Sequence, residues 1–169
     1  MKSKLAYLVI FFTAVISTNS FAQKIAPAGY QLQNKATGLL MRPLDANSAE
    51  GTPIVIYPKT SWKCLTWELK PARDSNVFTL QNYFTSKTIR AEKPEAKGTI
   101  TQVKFSMDGN APKWKFIPVG EGYYRIEHPS GLILGVDDKD TNSPLLLQKW
   151  LNQPTQMWKL LPKPEHFTG

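Results

Sequence analysis

A tryptophan-centred motif returns three times along this chain at nearly one spacing, and that repeat restricts the fold more than any other feature. Its copies are Leu65-Thr66-Trp67, Pro112-Lys113-Trp114 and Gln156-Met157-Trp158, with successive tryptophans 47 and 44 residues apart. A second marker keeps the same phase. It reads Tyr30-Gln31-Leu32, Phe78-Thr79-Leu80 and Tyr124-Arg125-Ile126, at steps of 48 and 46. One period shared by two markers means one supersecondary unit copied three times, each copy burying its apolar face against the others.

A separate leader precedes the repeats. Lys2 and Lys4 stand before an apolar run from Leu5 to Ile16, and Ser20-Phe21-Ala22 puts small residues at the −3 and −1 positions. This is the pattern of a secretory signal peptide over residues 1–22, cut between Ala22 and Gln23. The run is shorter than the roughly 18 apolar residues a spanning helix needs. The expectation is a secreted or periplasmic protein with no transmembrane segment in the mature chain. Cys64 is the one cysteine, so the fold must stand on packing without an intramolecular disulfide. In the strand-like stretch from Trp62 to Trp67 the thiol reads as a small hydrophobe. The only histidines are His128 and His166, and no acid pair, metal-ligand spacing or nucleophile–base set accompanies them. A non-enzyme without metal or cofactor is expected.

No segment keeps a helical period. Short β-branched and aromatic runs bounded by Gly, Pro, Asn and Asp predict an all-β domain. Strands are expected at Tyr30–Gln33, Leu39–Arg42, Pro53–Tyr57, Leu65–Leu69 and Val77–Asn82, then at Tyr123–Glu127, Leu132–Val136, Leu145–Trp150 and Gln156–Leu160. That is four short strands per unit of about 45 residues. A propeller needs at least four such units. Three units closing about a pseudo-three-fold axis make a β-trefoil over residues 23–162, with repeats at about 29–74, 77–119 and 123–162. The three motif tryptophans then fill a shared core. The Pro-rich end, residues 163–169, has no counterpart in the repeats and is expected to be extended and mobile.

The closing Gln-x-Trp, together with Gly131-Leu132-Ile133-Leu134-Gly135-Val136 and Leu147-Gln148-Lys149-Trp150, resembles the ricin B-type lectin family. The resemblance runs over about residues 29–162 and is most specific in the third copy, since Leu65 and Pro112 replace the closing glutamine of the other two. It implies a non-catalytic carbohydrate-binding protein whose partners are glycans or glycoconjugates. Sugar binding of this kind needs an apolar surface for the C–H face of a pyranose and polar groups for its hydroxyls. A carboxylate makes the strongest such bonds. The family's carboxylate position falls on Arg42, Arg90 and Gly135, and its asparagine position on Cys64, Ala111 and Thr155, so none matches.

A displaced site is expected in the third copy. Asp137 and Asp138 follow the empty position, and Gln148, Trp150 and Asn152 match or neighbour the family's ligand positions. Strand alternation sends Gln148 and Trp150 to one face. Asp137 would accept hydroxyl bonds, Trp150 would stack on the sugar, and Gln148 and Asn152 would complete the polar ring. The acidic run from Asp137 to Asn142 lacks the glycine and final glutamate of a calcium loop. A lesser candidate in the first copy combines Asp45, Tyr57 and Trp62. In the second copy Phe105 and Gln102 are surrounded by Lys87, Arg90 and Lys93, which disfavours a neutral sugar.

Without Lys2 and Lys4 the chain carries 19 basic and 13 acidic residues, a net +6. Such a surface attracts anionic glycans, which gives one alternative. The loss of the carboxylate position gives another: a protein-interaction trefoil, either a toxin receptor-binding subunit or a protease inhibitor with a protruding loop such as 46–52. Nucleic acid is not an expected partner, because no binding motif for it occurs.

Overall fold

The computed structural model describes residues 24–106 and 109–168; the leader expected over residues 1–22 lies outside them. Twelve strands form one continuous hydrogen-bonded sheet. The first repeat holds β1 (Gly29–Asn34), β2 (Leu40–Pro43), β3 (Ile54–Tyr57) and β4 (Trp67–Pro71). The second holds β5 (Val77–Asn82), β6 (Thr88–Ala91), β7 (Ile100–Val103) and β8 (Trp114–Gly120). The third holds β9 (Tyr123–Glu127), β10 (Ile133–Val136), β11 (Leu145–Gln148) and β12 (Trp158–Pro162).

First and fourth strands of every repeat build a closed barrel. β1 pairs with β4, β4 with β5, β5 with β8, β8 with β9, β9 with β12, and β12 returns to β1, all antiparallel. Closure leaves no barrel strand with an open edge. The second and third strands form three hairpins that cap one end. Single bridges Pro53–Thr101, Thr99–Leu146 and Pro144–Val55 link each hairpin to the next around the axis. The fold is the expected β-trefoil.

Trp67, Trp114 and Trp158 are fully buried. Each indole N–H needs a buried acceptor, and each finds one on the second strand of its own repeat. Trp67 donates to the Met41 carbonyl at 3.0 Å, Trp114 to Ile89 at 3.3 Å and Trp158 to Leu134 at 2.9 Å. The motif therefore ties the barrel to the cap in each copy.

Two expectations are corrected. The first half of the closing motif is not strand in the first and third repeats: Lys63–Leu65 and Pro154–Gln156 are 3-10 turns. Those turns are closed by Thr66 N–H to Lys63 and Met157 N–H to Pro154, at 3.0 and 3.2 Å. A tight turn just before the tryptophan lets its side chain drop into the core as the next strand starts. The C-terminal segment is also docked. Lys163 N–H donates to Gly29 and Thr168 N–H to Ser61, both at 3.0 Å, and the Phe167 ring lies 5.9 Å from that of Tyr83. Phe167 supplies the apolar anchor that a run of prolines and polar residues otherwise lacks.

Cys64 is free and buried, packed with Leu40 and Leu65. Burial pushes its thiol pKa up, with the Arg42 guanidinium pulling the other way. The thiolate is thereby disfavoured. A thiol reagent is expected to leave Cys64 unmodified in the folded protein and to label it stoichiometrically in denaturant, read by mass spectrometry. Rapid labelling of the native state would refute the burial argument.

Candidate functional site

A groove lies beside the second and third strands of the second and third repeats. In the third repeat this groove is a cavity of about 280 Å³ whose lining includes Lys97, Asp137, Gln148, Lys149, Leu151 and Gln156. Its polar wall is one hydrogen-bonded relay. Gln156, buried in the 3-10 turn, accepts from Leu151 N–H at 2.9 Å through Oε1. Its Nε2 donates to the Lys149 carbonyl at 2.7 Å and to Gln148 Oε1 at 3.0 Å. Gln148 Nε2 in turn donates to Asp137 Oδ1 at 2.6 Å. The other carboxylate oxygen of Asp137, Oδ2, pairs with Lys97 Nζ. Each amide is thus oriented by the next, from the closing motif outward to the carboxylate.

Gly135 leaves no room for an acidic side chain of its own. A Cβ at this residue would lie 2.2 Å from Gln148 Oε1 and 2.8 Å from its Cδ. The side chain of Gln148 fills the space that an acidic residue would need at position 135, and Asp137 reaches the same groove from the end of β10. The apolar share of the lining comes from Val136, Leu147 and Leu151. Leu151 is 68% exposed, one of only two large hydrophobics so open among the described residues. The first repeat also braces the site, because Asn34 Nδ2 donates to the Thr155 carbonyl at 2.9 Å.

Of the third-repeat residues singled out from sequence, the cavity brings together Asp137 and Gln148 only. Trp150 does not share it. β11 ends at Gln148, so strand alternation no longer governs residue 150, and its half-buried ring sits 5.3 Å from the Arg125 guanidinium. Arg125 is itself paired with Glu127 at 3.7 Å. Asp138 and Asn152 are exposed and do not line the cavity. Asn152 occupies a left-handed turn at φ 56°. Lys97, Lys149, Leu151 and Gln156 are lining residues that sequence reasoning did not assign to a site.

In the first repeat, Tyr57 and Trp62 do meet, stacked at 5.8 Å and 27°. The Arg42 guanidinium, however, lies 3.5 Å from the centre of the Tyr57 ring. Its NH2 group reaches Asn142 Oδ1 at 3.2 Å and Asp45 Oδ1 at 3.6 Å. Asp45 and Tyr57 therefore both meet the buried Arg42, and Trp62 stacks on the Tyr57 ring. The second repeat keeps an open groove of about 420 Å³, but Val103 stands where the third has Gln148, and Arg90 where it has Gly135. Gln102 is fully buried and spends its amide on the Asn47 and Ala49 carbonyls at 2.7 and 2.6 Å. His128 is also structural. Its Nδ1 accepts from Ser130 N–H at 3.1 Å, and its ring meets Trp114 edge-on at 5.4 Å. Burial lowers its pKa.

No family model matches the sequence, and no curated protein matches it. Solved structures do share the fold. The designed three-fold symmetric protein ThreeFoil is 20% identical at a TM-score of 0.73, over 79% of this chain and 97% of its own. The Macrolepiota procera ricin B-like lectin, solved in complex with lactose, is 18% identical at 0.70, over 84% and 99%. The cytolethal distending toxin of Actinobacillus actinomycetemcomitans is 19% identical at 0.67, over 83% and 95%. At these identities the likeness speaks for architecture: the chain is a β-trefoil that resembles the ricin B-like lectins in fold.

Proposed function

We propose that this is an exported, non-catalytic β-trefoil that binds carbohydrate through its third-repeat cavity. The observation that carries the reading is the relay from Gln156 through Gln148 to Asp137 beside an exposed leucine. A carboxylate held by neighbouring amides is already oriented to accept sugar hydroxyls. Leu151 offers the apolar surface that the C–H face of a ring requires. At about 280 Å³ the space suits one sugar ring with its substituents. The first repeat has Arg42 where the third has Gly135, and the second has Arg90 there with Val103 in place of Gln148, which supports the third repeat as the site.

Asp137→Ala and Gln148→Ala test this. Each removes a hydrogen-bonding wall from a half-open cavity, so stability should change by under about 1 kcal/mol. Glycan affinity should fall at least about tenfold, the loss expected for a hydrogen bond to a charged group. Unchanged glycan-array binding by both variants would remove the cavity from consideration.

The inhibitor alternative finds less support. Residues 46–52 are tied to the second repeat by Gln102, and Glu50 Oε1 accepts from Lys104 N–H at 3.1 Å. A segment held at three points along its length is not a free projecting loop.

A further inference from the structure

We infer that the third-repeat cavity selects an acidic sugar, a ring bearing a single carboxylate, through Lys97 of the second repeat and Lys149. This rests on the carbohydrate reading above and adds the class of sugar. The first line of argument is the three-fold comparison. Each hairpin receives one residue from the loop of the preceding repeat, held by a backbone bond to the third strand. Gly51 N–H donates to Gln102 at 2.9 Å, Lys97 N–H to Leu147 at 2.7 Å, and Asn142 N–H to Ile56 at 2.8 Å. All three have left-handed backbones, at φ 78°, 70° and 69°. Glycine and asparagine are the residues that accept this conformation readily; lysine is not. At the next position a Cβ on Gly98 would stand 2.2 Å from the Lys93 carbonyl, so the loop is tightly wound where it delivers Lys97. A lysine at this position, with its ammonium paired to the cavity's one acid, is placed to meet a ligand there.

Charge gives the second line. Both oxygens of Asp137 are engaged, one by Gln148 and one by Lys97. The groups left over are cationic. Lys149 is exposed and makes no ion pair among the described residues, so the lining residues include two lysines against one acid. Nearby acids do not alter this balance: Glu95 faces Lys93 at 4.0 Å, and Asp138 is not part of the lining. A carboxylated sugar completes the set. One hydroxyl replaces Lys97 on Asp137, and the ammonium turns to the incoming carboxylate. Lys97 is 67% exposed, so breaking its pair with Asp137 costs little. A neutral sugar meets the same ion pair and offers the ammonium no carboxylate.

The test titrates methyl glycosides of glucuronic acid, galacturonic acid and N-acetylneuraminic acid, with methyl glucoside and methyl galactoside as neutral controls, at about 0.15 M salt. The proteins are wild type and Lys97→Asn, the latter copying the residue at position 142. At least one acidic sugar should bind about tenfold tighter than the neutral controls. Lys97→Asn should abolish that preference while melting at the same temperature or higher, because asparagine relieves the left-handed backbone. Equal binding of acidic and neutral sugars, or a preference that survives Lys97→Asn, overturns the inference and leaves the carbohydrate reading standing. Binding by none of the sugars overturns both. Binding confined to long polyanions and erased by salt also overturns both, in favour of surface charge alone.

Discussion

Trp158→Ala is expected to lose about 3–5 kcal/mol of stability, enough to leave much of the protein unfolded when a domain holds about 5–15 kcal/mol in all. The indole is fully buried and its N–H is bonded to Leu134 across the barrel–cap junction. Alanine leaves both a large cavity and an unpaired carbonyl. Trp150, eight residues earlier, gives the contrast. It is half-buried, with the Arg125 guanidinium beside it, a contact worth about 0.5–1 kcal/mol at an open site. Trp150→Ala should therefore melt within a few degrees of wild type. It should also keep glycan affinity, because its ring lies outside the cavity. Melting curves and binding isotherms for both variants decide the matter. Equal destabilisation would make Trp150 a core residue, and lost binding would return it to the site.

Gln156→Leu is expected to act on stability and binding together. Leucine is the residue that the first repeat carries at this point, as Leu65, where it is fully buried. In the third repeat the substitution strands Leu151 N–H and the Lys149 carbonyl and releases Gln148. Losing several partly buried hydrogen bonds should cost about 2–3 kcal/mol. Gln148 then loses the partner that orients it toward Asp137, so glycan affinity should fall toward the level expected of Gln148→Ala. A variant that is destabilised yet binds normally would show that the relay serves folding only.

Much of the site was illegible in the sequence because it depends on three repeats at once. Asp137 and Gln148 stood out by their chemistry near a missing carboxylate. Trp150 stood out as well, but alternation was carried two residues past the end of β11. Lys97 belongs to a loop forty residues away, and the backbone bonds of Lys97 and Gly98 to Leu147, with the Thr99–Leu146 bridge, bring it to the third repeat. The one sequence signal for it was its phase: Gly51, Lys97 and Asn142 recur at the repeat spacing, and two of the three are residues suited to left-handed turns. Arg42 was visible as a substitution of the expected acid, yet its burial against Tyr57 was not.

The sequence by itself determined the all-β class, the three-fold repeat and the three core tryptophans. These follow from periodicity and from the burial of large apolar side chains, which any copy of the unit must satisfy in the same way. Tertiary structure alone decided what stands beside the second and third strands of each repeat. The repeats differ there: a guanidinium against Tyr57 in the first, Val103 in the second, an amide relay ending on a carboxylate in the third. Whether a side chain fills this place or leaves it open depends on non-local packing and on the residue delivered by the preceding repeat. Those contacts have no fixed spacing along the chain.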